Sequence, residues 1–401
     1  MKFFQRRDLA PFATFQPSKT LPVYNWFYYK EAFSPELVAI LLKELRLEEP
    51  ILDPFCGIGT TLLACKQLGL NSIGFDVNPL AVLASRVKTV DYEVRVLKQA
   101  VDFVLRAKWR KPSWKWRFEL FPPSRAFPKG SFEEALFLRE KIDEIRDEKV
   151  KNFLLLALAS VLPEASFVLK DGGVLKFVKN KRVTPLRKAF ERKLYRMLKD
   201  VESSKVSGPI PVVEEGDARA LPLVNESIGG IITSPPYLNN VDYTKVYGLE
   251  LSLLFDDQAI KRARARSLHS FISADYKPQE NVSIVESVLE KILEENSFNR
   301  AAFDRAGGLP LVVSAYFNDL FLAVKEFFRV LKPGASASVV VSNAVLPGFL
   351  VNVDECVGLM AESIGFKASA WVCGERFARV NAPGIPREQR VRESVVILRK
   401  A

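Results

Sequence analysis

The chain reads as an α/β protein with a doubly wound, mostly parallel sheet interrupted by a large helical insertion. Three observations predict this. A short apolar strand ending at Leu52-Asp53 runs into a glycine loop, Pro54-Phe-Cys-Gly-Ile-Gly59, and then a helix; a second strand, Ser72-Ile-Gly-Phe-Asp76, ends in an acid; and apolar strand patterns resume only after about residue 206. Strand, glycine turn, helix and acid-ended strand make up the opening unit of a doubly wound sheet. With 401 residues the chain exceeds the usual size of a single hydrophobic core, so it has room for a catalytic domain and a sizeable insertion.

Taken in order, an aromatic-rich segment, Val23-Tyr-Asn-Trp-Phe-Tyr-Tyr29, leads to Phe33-Ser-Pro-Glu-Leu-Val. Here Ser34 stands where a helix cap belongs and Pro35 at the first helical position, so a helix is predicted to about Leu45. The glycine loop and the helix from Thr60 follow. From Val94 to Lys205 the pattern turns to helical periodicities and basic loops: the run Lys108-Trp-Arg-Lys-Pro-Ser-Trp-Lys-Trp-Arg117, a charged helix near Phe132 to Asp147, an apolar helix after Asn152, and a basic helix near Pro185 to Lys199. The predicted organisation is therefore a catalytic domain over 1–93 and 206–401, with residues 94–205 as a basic helical insertion for substrate recognition. Strands resume with Val212-Val-Glu-Glu-Gly-Asp217 and Ile228-Gly-Gly-Ile-Ile-Thr233, the latter followed at once by Ser234-Pro-Pro-Tyr237. A basic run, Lys261-Arg-Ala-Arg-Ala-Arg266, an amphipathic stretch near Val282 to Glu295, a helix from about Ala315 to Val330, a turn at Leu331-Lys-Pro-Gly334, a strand over Ala337 to Ser342 and a last strand at Glu393 to Arg399 complete the pattern.

Composition narrows the chemistry. Four cysteines without a Cys-x-x-Cys pair and a single histidine, His269, disfavour a zinc site and His-based catalysis, and packing is the expected fate of the cysteines. No apolar run is long enough to span a membrane, and the basic opening residues lack the apolar stretch of a signal peptide, so a cytoplasmic location is expected. The formal net charge of +11 suits a polyanion, since lysine and arginine release counterions when they neutralise phosphates. Charge alone leaves nucleic acid and an acidic membrane surface both open.

The candidate site is assembled from strand ends. Glycines between strand and helix let backbone amides approach a carboxylate or phosphate. A nicotinamide-binding loop wants a third glycine where this chain has Leu62, which counts against a dinucleotide cofactor. Asp76 is positioned to accept hydrogen bonds from two ribose hydroxyls and Asp217 from an adenine amino group. After Thr233 the paired prolines Pro235 and Pro236 bring no N–H of their own, leaving carbonyl oxygens to accept from a ligand.

With these residues in place, the chain resembles the amino-methyltransferases of nucleic acids, which pair an Asp-Pro-Phe-x-Gly-x-Gly loop with a Ser/Asp/Asn-Pro-Pro-Tyr/Phe motif. Serine in first position is similar to the cytosine-N4 branch. The resemblance implies S-adenosylmethionine as cofactor, held by Asp53, Phe55, Gly57, Gly59, Thr60, Asp76, Asp217 and Ala218, and by Trp26 and Tyr28 in a flanking motif over Trp26 to Leu42. It implies Ser234, Pro235, Pro236 and Tyr237 as the catalytic set. Asn239, Asn240, Asp242 and Tyr243 are candidates for base contact, with a polar helix start as the equal alternative. Trp109, Arg110, Trp114 and Trp116 can bind phosphates and stack bases, or pack the insertion onto the core. The insertion, especially Ala157-Leu-Ala-Ser-Val-Leu-Pro-Glu-Ala-Ser166 and Lys170-Asp-Gly-Gly173, resembles archaeal ribosomal-RNA N4-cytosine methyltransferases. The partner expected from that resemblance is structured RNA, with DNA as the alternative. A non-catalytic nucleic-acid-binding protein is a further alternative that would not need the intact loop and diproline motif.

Overall fold

The computed structural model describes residues 1–171, 173–204, 206–239, 241–271, 283–295, 309–346, 349–379 and 388–401. In chain order its strands are β1 (Lys2–Gln5), β2 (Ile51–Asp53), β3 (Ser72–Asp76), β4 (Val168–Asp171), β5 (Val174–Phe177) and β6 (Val212–Glu215). They continue as β7 (Ile228–Thr233), β8 (Leu331–Ser342), β9 (Ala344–Leu346), β10 (Phe349–Val351), β11 (Phe366–Arg379) and β12 (Glu388–Lys400). Eight of them form one sheet in the order β1-β11-β12-β8-β7-β2-β3-β6. The run β8-β7-β2-β3-β6 is parallel, and β12 lies antiparallel between β8 and β11. This is the predicted mostly parallel methyltransferase-like sheet.

The sheet is apolar on both faces because alternate residues of each central strand serve different cores. Leu52, Ile231, Val339 and Val396 point to one side, where they meet Tyr316, Phe317 and Phe327 of one helix and Met360 of another. Ile51, Ile232, Val340 and Val395 point to the other, against Leu37, Val38 and Leu41. A strand covered on both faces has to read as a continuous apolar run, which is why Ile231-Ile-Thr and Val339-Val-Val carry no alternation.

The helices are α1 (Pro35–Glu44), α2 (Thr60–Gln67), α3 (Pro79–Thr89), α4 (Val94–Leu105), α5 (Lys129–Asp143), α6 (Glu148–Ala165) and α7 (Leu186–Ser203). After the insertion come α8 (Tyr243–Val246), α9 (Gly248–Leu254), α10 (Asp257–Arg266), α11 (Ser283–Glu295), α12 (Leu309–Val330) and α13 (Val353–Ile364). Ser34 occupies the N-cap of α1 with extended backbone, but its hydroxyl makes no cap bond. Helix α12 starts six residues before the predicted Ala315, and within that extension Val312 and Val313 join the buried face of Tyr316, Phe317 and Leu320. Lys332 to Ala335 belong to β8 as an irregularity: Ile228 pairs with Leu331 and Gly230 with Ser336, and Gly334 takes a positive φ of 79° in the excursion. The insertion contains α4 to α7 and also a hairpin, β4-β5, that its helical periodicity does not reveal. Its helices share one hydrophobic cluster with Phe15, Tyr24, Trp26 and Phe27, with α3, and with α9. No helix among the described residues is long and apolar enough to cross a membrane.

Candidate active site at the carboxyl edge of the sheet

Strand order reverses at β2. From β2 the chain winds outward through β3 to β6, then returns to lay β7 on the other side of β2. At such a switch point the loops after the two neighbouring strands splay apart and leave a crevice at their carboxyl ends. Those loops are the glycine loop after Asp53 and the diproline turn after Thr233. A direct bond ties them together, as Thr233 Oγ1 donates to Asp53 Oδ1 at 2.7 Å. One cavity is lined by Asp53, Phe55, Gly57 and Thr60 of the first loop, by Asp76, by Asp217 and Ala218, and by Ser234 to Tyr237 with Tyr243.

The glycine loop is held by its own backbone. Gly57 has φ +48°, donates its N–H to Asp76 Oδ2 at 2.9 Å, and receives the Ser85 hydroxyl on its carbonyl at 2.8 Å. Gly59 does not line the cavity; it sits at the N-cap of α2 with φ +79°, where an added Cβ would lie 3.0 Å from Ser85 Cα. Its role in the structure is close packing of the loop on α3. Asp76 accepts from Gly57 N–H and from Asn78 N–H at 2.8 Å, which uses two of the roughly four acceptor sites of a carboxylate. Burial pushes its carboxyl up to about 6, against those two amide bonds. Burial pushes Asp53 up to about 7, opposed by the hydroxyls of Thr233 and Thr61 and the Phe55 amide. These donors and acceptors fit an adenosyl group with two ribose hydroxyls and a cationic tail: acceptors at Asp76, and the buried carboxyl of Asp53 in the same cavity to face a positive charge.

At the diproline turn, the Ser234 hydroxyl donates to Val340 O at 3.1 Å and lies 3.4 Å from Tyr237 Oη. Burial raises the Tyr237 phenol to about 12, so it stays neutral. Asp217 lines the cavity, but both its oxygens meet the guanidinium of Arg219, at 2.9 and 2.7 Å. Arg219 in turn holds Asp319 at 2.6 Å, and Asp319 bonds His269 Nδ1 at 2.7 Å.

Several predicted residues lie elsewhere. Trp26 is 1% exposed, with its indole N–H donated to Asp200 Oδ2 at 2.9 Å, so it is a core residue under α7. Tyr28 is exposed, edge-on to Phe15 and beneath Lys19. In their place Tyr29, Glu31 and Phe33 line the cavity, Tyr29 stacking on Tyr247 at 4.8 Å and Tyr247 donating to Glu31 at 2.8 Å. Asn239 is exposed beyond the turn, and Asn240 lies outside the described residues. Asp242 caps α8 by accepting from the amides of Thr244 and Lys245, the polar helix start held as an alternative. Of the insertion residues, Trp116 is buried and donates to Ser252 Oγ at 2.9 Å, which removes it from base contact. Trp114 is half-buried beneath Arg139, Arg110 pairs with Glu144, and Trp109 is exposed. All four cysteines are buried.

Comparison with known proteins places this geometry in a family. A DNA methylase model of N6/N4 amino-methyltransferases matches residues 15–85, the stretch that holds the glycine loop and Asp76. The chain is 30% identical to the Type II methyltransferase M.AvaI of a Nostoc species, over 88% of its own length and 81% of that protein. It is 29% identical to M.BsoBI of Geobacillus stearothermophilus over 88% and 80%, and 39% identical to M.MjaII of Methanocaldococcus jannaschii over 23% and 18%. The expected preference for ribosomal RNA, drawn from the insertion's likeness to archaeal RNA enzymes, gains no support here; the DNA alternative accords better with these relatives. By its sheet, its cavity and its identity to M.AvaI, this chain belongs to the S-adenosylmethionine-dependent DNA methylases of the N6/N4 amino-methyltransferase family.

Proposed function

We propose that this chain methylates the exocyclic N4 amine of cytosine in DNA. The observation that carries the reading is the hydroxyl of Ser234: its hydrogen is given to Val340 O on β8, so its lone pairs are left to accept from a substrate amine in the cavity that also holds the glycine loop and Asp76. Cytosine's amino lone pair is delocalised into the ring. Two acceptors on its N–H groups, Ser234 Oγ and Pro235 O, return electron density to nitrogen, and the prolines bring no N–H of their own to compete for the amine. Tyr237, neutral and half-buried on this wall, offers a ring face for the extruded base. When bound, the cofactor supplies an electrophilic methyl group on a sulfonium. Asp76 accepts from the ribose hydroxyls, while Asp217, fixed by Arg219, accepts from the adenine amine. No covalent enzyme intermediate is required. The insertion over 94–205 is assigned to target recognition through its exposed basic loops and Trp109.

Duplex DNA and ribosomal RNA, incubated separately with methyl-labelled cofactor and digested to nucleosides, test this. Label is expected in N4-methyldeoxycytidine. Label in N6-methyldeoxyadenosine would overturn the cytosine assignment, and label confined to RNA would overturn DNA. Ser234→Ala is expected to lower turnover about 10- to 100-fold, the cost of a hydrogen bond made in the transition state, with cofactor affinity retained.

A further inference from the structure

A second cavity, of about 610 Å³, adjoins the active site and shares Thr244 and Ser267 with it. Its charged lining is mainly basic, with Arg117, Lys245, Lys261 and Arg264 against two acids, Glu119 and Asp257, and His269 is also among the lining residues. The wall it borrows from α10 is one helical face, Asp257, Ile260, Lys261, Arg264 and Ala265, at the three- and four-residue spacing of neighbours on a helix. The basic run Lys261 to Arg266 is thus divided. Lys261 and Arg264 line the cavity, while Arg262 and Arg266 do not.

Arg264 connects the two cavities. Its Nε lies 3.0 Å from Asp242 Oδ2, and Asp242 caps α8, whose first residue, Tyr243, lines the active site. Lys261, on α10, and Arg117, on the segment before α5, both line the cavity and are exposed. A base drawn out of a duplex stays covalently tied to its own phosphates, so an anion has to lie within one nucleotide's reach of the pocket that takes the base. Concentrating cations on one side of that pocket lowers the cost of the extrusion by neutralising the phosphate where it must go.

We propose that the second cavity is a phosphate seat, in which Arg117 and Lys261 clamp the backbone phosphate next to the extruded nucleotide and Arg264 ties that clamp to the active site. The seat rests on the proposed function only in that its occupant is a nucleic acid.

The test is equilibrium binding of the full chain to a mixed-sequence DNA duplex over a series of salt concentrations, for Lys261→Glu, Arg117→Glu and, as control on the same helix but off the cavity, Arg262→Glu. Lys261→Glu and Arg117→Glu are each expected to weaken binding about tenfold at about 0.1 M salt and to lower the slope of log K against log salt by about one. Arg262→Glu should stay within about twofold of the parent, and all three should keep parental cofactor affinity and thermal stability. Equal weakening by all three would reduce the effect to overall charge and overturn the seat, as would parental binding by the two cavity variants. Methyl transfer is read separately on the unaltered protein: its absence from DNA, with the cavity variants still weakened and the control not, overturns the proposed function and leaves the seat standing.

Discussion

The diproline turn at 234–237 and the tryptophan run at 108–117 both present aromatic side chains beside groups suited to a nucleotide, but they end in different surroundings. The turn follows β7 at the switch point, where the sheet's own connectivity opens a crevice, so its side chains border a cavity. The run lies in an irregular stretch between α4 and α5. There Trp116 is drawn into the core against Phe127 and Phe132, Trp114 lies half-buried under Arg139, and only Trp109 is left outside. A parallel strand end is a fixed address that side-chain hydrophobicity cannot move. An aromatic on a helical insertion has no such address, and it goes where it buries the most surface.

That contrast can be broken by substitution. Trp116→Ala should cost about 3–5 kcal/mol of stability in chemical denaturation, as for other buried tryptophans, and lower DNA affinity only through unfolding; a folded variant with a specific loss of DNA binding would restore Trp116 as a contact. Tyr237→Ala should show the reverse pattern, with turnover down about a hundredfold and cofactor affinity by calorimetry nearly unchanged. A collapse of cofactor binding in that variant would mean the turn serves the cofactor instead.

A smaller effect sharpens the account of the first loop. Burial raises Asp53 from 3.8 to about 7, so the folded state holds its proton more tightly than the unfolded chain does. Its contribution to stability is complete below about pH 4 and is lost as pH rises through about 7. Asp53→Asn keeps an acceptor for Thr233 and carries no charge to bury; its melting temperature should exceed the parent's by a gap that opens above pH 4, reaches a few degrees and levels off above pH 7. A gap independent of pH would deny that Asp53 titrates there. The smallest change belongs to Trp109→Ala, which should alter stability by less than about 0.5 kcal/mol, since the ring is exposed.

Much of the site was legible because it is local. Asp53, Gly57 and Asp76 stand at or just after strands whose apolar runs stand out, and the diproline turn follows a strand buried at all six of its residues. Tyr29 and Glu31 left a weaker trace, a tyrosine and an acid in an aromatic segment where Trp26 and Tyr28 looked equally suitable. Which of them faces the cavity depends on Tyr247, which stacks on Tyr29 and bonds Glu31 from 216 residues away, and on Asp200, which claims Trp26 from 174 away. The hairpin β4-β5 escaped notice for a related reason, as Val168 is the one buried residue among its eight strand positions and a single burial imposes no period of two.

The order of residues along the chain determined the strands, the glycine loop and the acids at the strand ends, because backbone φ, hydrogen-bonding capacity and apolar period are properties of neighbours in sequence. Only the tertiary structure decided which aromatics reach solvent, that Asp319 anchors the Arg219 guanidinium from 100 residues away, and that one face of a basic helix lines a cavity beside the active site. Those outcomes rest on contacts across long loops, where the competition for burial and for ion-pair partners is settled by packing that no short segment encodes.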